Sequence, residues 1–153
     1  MELVTIQIED GIANITLQNG KVNALSHQVI EELNSAFDQA EKAKAVVILT
    51  GNPGILSGGY DLKTMQKSMA DAMALVTAGS KLTRRMLAFP TPIIAACGGH
   101  AVAKGAFLLL CSDYRIGVKG DFKIGLNEVA IGMVMHHAGI EMARGRMPIN
   151  YFN

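Results

Sequence analysis

The chain has 153 residues, of which half are hydrophobic and 18% are charged, with a formal net charge of +1. That is one domain or part of one, with ample material for a core, and it excludes a disordered chain. Charges of both signs are dispersed, which gives no electrostatic case for nucleic acid or an anionic membrane, and no apolar run reaches the length of a membrane span.

Val4–Ile8 alternates like a half-buried strand, Asp10-Gly11 is a hairpin signal, and Ile12–Leu17 alternates again. After a polar loop, Ser26 is placed to cap a helix carrying Val29, Ile30, Leu33, Phe37 and Ala40 on one face. Ala45–Thr50 is a β-branched strand, and Ile55–Asp61 is a glycine-bearing segment after it. Leu62 to about Ala88 is helical in composition, with an interruption expected near Gly79. Asp113–Val118 is strand-like, Gly120–Gly132 is a mixed loop and short strand, and Met135–Arg146 is helical. The order ββα, βα, βα, β indicates an α/β fold.

The chain is organised around Pro92–Asp113. Pro90 and Pro92 disfavour helix before the apolar run Ile93–Cys97. A small-residue loop, Gly98–Gly105, follows, and from Ala106 the pattern is that of a buried helix. A strand that breaks into such a loop and then opens a helix gathers backbone N–H groups where a negative oxygen can sit. Tight strand–helix packing without a ligand explains the same residues. A second glycine-bearing corner, Ser57–Asp61, allows each corner to give one N–H to a shared oxygen, the arrangement of an oxyanion hole.

Cys97 and Cys111 lie in apolar runs without metal-site or disulfide spacing, which suits buried reduced thiols and a cytoplasmic protein. Met1-Glu2-Leu3 begins no signal peptide. None of the four histidines has an acidic partner at ligand spacing, so no metal site is expected. His27 reads as helix surface, His100 lies in the central loop, and His136 and His137 point apart on a helix. Asp61 and Asp113 are structural candidates, and Arg84-Arg85 a solvated face. Ile149, Tyr151 and Phe152 are unusually apolar for a terminus, so the chain is expected either to be cut or to use these residues in a contact.

Taken together, the motifs resemble those of the crotonase, or enoyl-CoA hydratase/isomerase, superfamily. Lys21-Val22-Asn23-Ala24-Leu25 resembles its early N-A-L motif, and Leu56–Leu62 resembles F-x-A-G-x-D-L. Ile94–Asp113 resembles I-A-A-x-x-G-x-A-x-G-G-G with its following helix, and Ile124-Gly125-Leu126-Asn127-Glu128 is similar to the form found in Δ3,Δ2-enoyl-CoA isomerases. The resemblance implies a spiral of ββα units, with residues 1–153 forming a core domain incomplete at its C-terminal end. It also implies an acyl-CoA thioester substrate, no separate cofactor because coenzyme A enters with the substrate, and a trimer or hexamer at full length.

Carried over by position, the resemblance makes the backbone N–H of Tyr60 and of Lys104 the oxyanion donors and Glu128 the acid/base. Lys21, Asn23, Ala24, Ser57, Gly58, Gly59, Asp61, Leu62, Gly105 and Phe107 become substrate-binding candidates. Lys104 stands where the family generally has glycine; a side chain there is tolerated at negative φ, so Lys104 speaks either against an intact oxyanion hole or, the reading favoured, for a side chain pointing outward, toward a CoA phosphate. Phe107 stands where hydratases carry a first glutamate, so a single carboxylate remains. Glu128 is followed by Val129-Ala130-Ile131, apolar surroundings that would strengthen it as a base. One acid can shuttle a proton, which places double-bond isomerisation ahead of hydration, of decarboxylation or thioester hydrolysis, and of a binding protein without catalysis.

Overall fold

The computed structural model describes residues 2–152. Its elements repeat one unit, two strands then helix, four times. Strands β1 (Val4–Glu9) and β2 (Ile12–Leu17) precede helix α1 (His27–Lys42). Strands β3 (Val46–Thr50) and β4 (Gly54–Ser57) precede α2 (Leu62–Lys67) and α3 (Met69–Leu87). Strands β5 (Ile93–Cys97) and β6 (Gly99–Val102) precede α4 (Lys104–Cys111). Strands β7 (Tyr114–Gly117) and β8 (Ile124–Gly125), with a 3₁₀ turn at Val129–Ile131, precede α5 (His137–Arg146).

The first strand of each unit, together with β2, joins one sheet, ordered β1-β2-β3-β5-β7, antiparallel only between β1 and β2. The short second strands build a separate parallel sheet, β4-β6-β8. The sequence pattern marks β1, β2, β3, β5 and β7, whereas β4 falls in the glycine-bearing segment Ile55–Asp61 and β6 in the expected loop Gly98–Gly105. Strands of two to four residues carry no periodic signal of their own.

The core lies between the large sheet and the helices. Alternate residues Ala13, Ile15 and Leu17 of β2, Val47 and Leu49 of β3, and Ile93, Ala95 and Cys97 of β5 point into it. Helix α1 buries Val29, Ile30, Leu33, Ala36, Phe37 and Ala40, the stripe its spacing predicts, and the Ser26 hydroxyl accepts from Val29 N–H as its cap. Asp113 is structural as expected: its carboxylate accepts from Ile93 N–H at 2.8 Å. Cys97 and Cys111 are free and buried, and His27 is exposed.

Several expectations are corrected. Helix α3 runs without a break through Gly79, and the interruption falls at Ser68, which caps α3 by accepting from Asp71 N–H. Gly79 is there for space: a Cβ on it would collide with the Tyr60 ring. Arg85 is no solvated side chain, because it ties α3 to α1 through the Asn34 carbonyl, Asp38 at 2.6 Å and Glu41 at 3.2 Å. His136 precedes α5 instead of lying on it, and its Nδ1 caps the helix by accepting from Gly139 N–H.

Candidate active site

The three strands of the small sheet end at one edge, the carboxyl end of a parallel sheet, where α/β folds place ligands. Ser57 of β4 is in register with Ala101 of β6, and three residues beyond each stand Tyr60 and Lys104. Ala101 is in turn paired with Ile124 of β8, four residues before Glu128. Register alone therefore brings both candidate amides and the candidate acid to the same edge.

The chain around Tyr60 is clamped by the loop before α1. Gly58 N–H donates to Val22, Leu25 N–H donates to Gly59, and Asp61 N–H donates to Leu25. In extended backbone successive N–H groups point opposite ways, so the Tyr60 N–H is turned away from Leu25. Gly59 has φ +101°, a conformation that suits glycine, and a Cβ on it would stand 3.0 Å from Ala103 Cβ and 3.5 Å from Lys104 N. The two corners are thus in contact.

Lys104 N–H is the first amide of α4, at the positive end of the helix, with no side-chain cap. Ala103 before it adopts φ 51° and ψ −125°, a costly conformation for a residue with a Cβ, while Lys104 itself stays out of the left-handed region. The strain therefore sits one residue before the donor, and a side chain at 104 is compatible with the turn. Among the described residues, neither Tyr60 N–H nor Lys104 N–H donates to a protein acceptor.

Glu128 opens the 3₁₀ turn after β8. Among the described residues its buried Oε2 has no hydrogen-bond partner, nor has Asn127 Oδ1 beside it. The carboxylate bears on the Tyr60 hydroxyl, which burial first and Glu128 second hold above its usual range. That hydroxyl donates to the Val76 carbonyl, at 3.4 Å. An unpaired buried acceptor is costly unless something else occupies it.

A groove of about 510 Å³ passes the Tyr60 corner, lined among others by Ala24, Gly58, Gly59, Leu62, His100 and Lys123. His100 is fixed there, its Nδ1 accepting from Lys123 N–H at 2.9 Å. Asp61 lies on the groove but its carboxylate is engaged at the start of α2, accepting from the Thr64 N–H and hydroxyl, which hold it below the usual carboxylate range. Lys21 is exposed on the loop before Asn23.

Four further candidates stand behind the wall. Asn23 is fully buried at φ 46°, its amide donating to the Leu17 and Leu56 carbonyls while its Oδ1 accepts from Asn19 N–H and the Asn52 amide. Ser57 is fully buried and bridges the Asn23 carbonyl to Gly59 N–H. Gly105 packs on the Ser57 carbonyl with no room for a side chain. Phe107 is buried against the His136 ring, with centroids 5.8 Å apart. The Asn23 and Ser57 side chains are engaged with the protein, and Gly105 and Phe107 bring no polar side chain, so the four side chains shape the corner.

The outward orientation expected of Lys104 is overturned. The side chain is 1% exposed and turns inward, where Nζ donates to the Thr83 hydroxyl at 3.1 Å. The ammonium stands 5.7 Å from the Tyr60 ring centre and 5.5 Å from that of Phe107. The sequence held a signal for this: Lys104, Phe107, Leu108 and Cys111 recur at helical spacing, which puts the lysine on the buried face. Nothing in the sequence pointed to Thr83 or to His136 as its neighbours. Among the described residues, no cluster of three histidine, cysteine or acidic side chains could hold a metal, and no helix is long and apolar enough to cross a membrane.

Residues 7–148 match the family model for enoyl-CoA hydratase/isomerase. An enoyl-CoA hydratase/isomerase family protein from Pseudomonas syringae superposes with a TM-score of 0.97 at 65% identity, covering 99% of this chain and 66% of that one. Human mitochondrial delta3-delta2-enoyl-CoA isomerase superposes at 0.86 with 28% identity, over 93% of this chain and 58% of that one. A probable enoyl-CoA hydratase of Bacillus subtilis is 34% identical over 145 residues, 92% of this chain and 56% of that protein. The chain thus spans between half and two thirds of the length of these relatives. The fold is the crotonase spiral of ββα units, and the chain belongs to the enoyl-CoA hydratase/isomerase family.

Proposed function

We propose that this chain carries the catalytic core of a Δ3,Δ2-enoyl-CoA isomerase. Glu128 takes a proton from C2 of a 3-enoyl thioester. The thioester oxygen becomes an enolate oxygen and accepts from Tyr60 N–H and Lys104 N–H. The C3–C4 double bond then moves to C2–C3 as the proton returns at C4. No atom is gained or lost, so one carboxylate suffices.

The observation that carries this reading is a lone acid. Glu128 has a buried, unpartnered carboxyl oxygen, while Phe107 fills the place of a second acid with a ring. Adding water across a double bond needs one group to activate the water and one to protonate the carbon, which Phe107 cannot do. The name of the Bacillus subtilis relative supports hydration as the second reading. In the assembled protein we further propose a trimer or a pair of trimers, with the acyl thioester in the groove by Tyr60.

Ultraviolet absorbance of the conjugated 2-enoyl thioester tests the reaction. With 3-hexenoyl-CoA the absorbance grows. With 2-hexenoyl-CoA it settles at the same isomer equilibrium as from 3-hexenoyl-CoA with no gain in mass, whereas a gain of about 18 Da through water addition would contradict the role given to Phe107. Binding of both thioesters without change in either would instead indicate a binding protein.

A further inference from the structure

We propose that the Lys104 ammonium, locked inside the core by Thr83, is the standing counter-charge for the enolate formed at the same residue's N–H. This rests on the enolate chemistry proposed above and extends it from the main chain to a buried side chain.

The Lys104 ammonium is one that the fold alone does not need. Among the described residues Lys104 makes no ion pair, and its one hydrogen-bond acceptor is a neutral hydroxyl. The faces of Tyr60 and Phe107 offset only part of the lost hydration. Leucine or methionine would fill the same volume at lower cost. A cation kept there has its natural partner in an anion that is absent from the resting protein and forms next to it. Lys104 supplies both the amide and the ammonium, so the two lie no further apart than one lysine stem allows. The medium between them is apolar, where a charge acts further than it does in water.

The surroundings leave Lys104 as the group that changes charge in mildly alkaline solution. Helix α4 contributes Cys111, whose thiol burial drives up to about 12. The β4 corner contributes the Tyr60 hydroxyl, held above its usual range by burial and by Glu128. The start of α5 contributes His136, held below its usual value by burial and by Lys104 itself. Helix α3 contributes the uncharged Thr83. Burial lowers the Lys104 ammonium to about 8, so it is charged below that pH and neutral above it.

The test compares the parent chain with Lys104→Met, which keeps the backbone N–H. Turnover of 3-hexenoyl-CoA is expected to fall about tenfold in kcat with little change in KM, and the parent's alkaline decline near pH 8 to vanish in the variant. A second readout is independent of turnover. Acetoacetyl-CoA is expected to enolise at lower pH on the parent than in free solution, and the variant to lose most of that shift. If neither protein isomerises the enoyl thioester, the isomerase reading falls, while the enolisation comparison still decides the role of Lys104. Equal kcat and pH profile in the two proteins overturn the proposal, as does enolisation that is the same on the parent, on the variant and in free solution. Should Lys104→Met not fold, Thr83→Val serves: it removes the ammonium's acceptor and is expected to move the alkaline decline to lower pH, and an unmoved decline overturns the proposal.

Discussion

The first and third ββα units are the same architecture built to different ends. In the first, α1 has a serine cap, one apolar face and a polar back. In the third, α4 has no side-chain cap, is buried nearly all round, encloses a lysine and is preceded by an alanine at positive φ. Each departure in the third unit leaves something available: an uncapped first amide, a fixed charge, a corner tight enough to meet Gly59. The first unit obeys the local rules of stability, and the third breaks them where the candidate site lies.

The comparison is broken most severely at Glu128. Glu128→Gln keeps the shape but removes the proton carrier, and isomerase turnover is expected to drop by about 10³-fold or more, measured as conjugated-thioester absorbance. Parental turnover in that variant would remove Glu128 as the base.

Next comes the stability of the Lys104 site. A shift from 10.5 to about 8 corresponds to about 3 kcal/mol against the folded state at neutral pH, so Lys104→Met should unfold at higher denaturant while being the poorer catalyst. Above pH 8 the unfolded chain holds a proton on Lys104 that the folded chain releases, so parental stability rises with pH. The rise shows between pH 8 and 9, before ionisation of Cys111 in the unfolded chain near its ordinary 9.0 offsets it and that of Tyr60 near its ordinary 10.0 reverses the slope. A flat parental curve over that interval contradicts a buried ammonium.

Removing the wall behind the corner ranks third. Asn23→Ala strands the Leu17 and Leu56 carbonyls and the Asn19 N–H, at a cost of about 2–3 kcal/mol in denaturant unfolding. The smallest effects sharpen the contrast of the two units. Ser26→Ala should cost about 1 kcal/mol through the lost cap of α1. Ala103→Gly should gain about 1 kcal/mol by relieving the turn before α4.

Legibility in the sequence followed the same division. The first unit was readable throughout, since its two alternating strands, its cap and its helical stripe all act locally. The second strands were not: Gly99–Val102 and Ile124-Gly125 become strands because neighbours pair with them, and such short runs look like loop. Tyr60, Lys104 and Glu128 were singled out as candidates through motif resemblance, and the register of β4, β6 and β8 brings these three positions to one sheet edge. The Lys104 side chain was misplaced because a lysine is almost never fully buried without a partner, and that expectation outweighed the helical spacing that pointed inward.

The central claim is that two unpaired amides and one acid meet on a thioester. A crystal structure of the chain with acetoacetyl-CoA tests it most directly. The account predicts the thioester oxygen about 3 Å from both Tyr60 N and Lys104 N, with the Glu128 carboxylate against C2. A thioester oxygen bound to solvent or to other donors, with Glu128 turned away from C2, would contradict it.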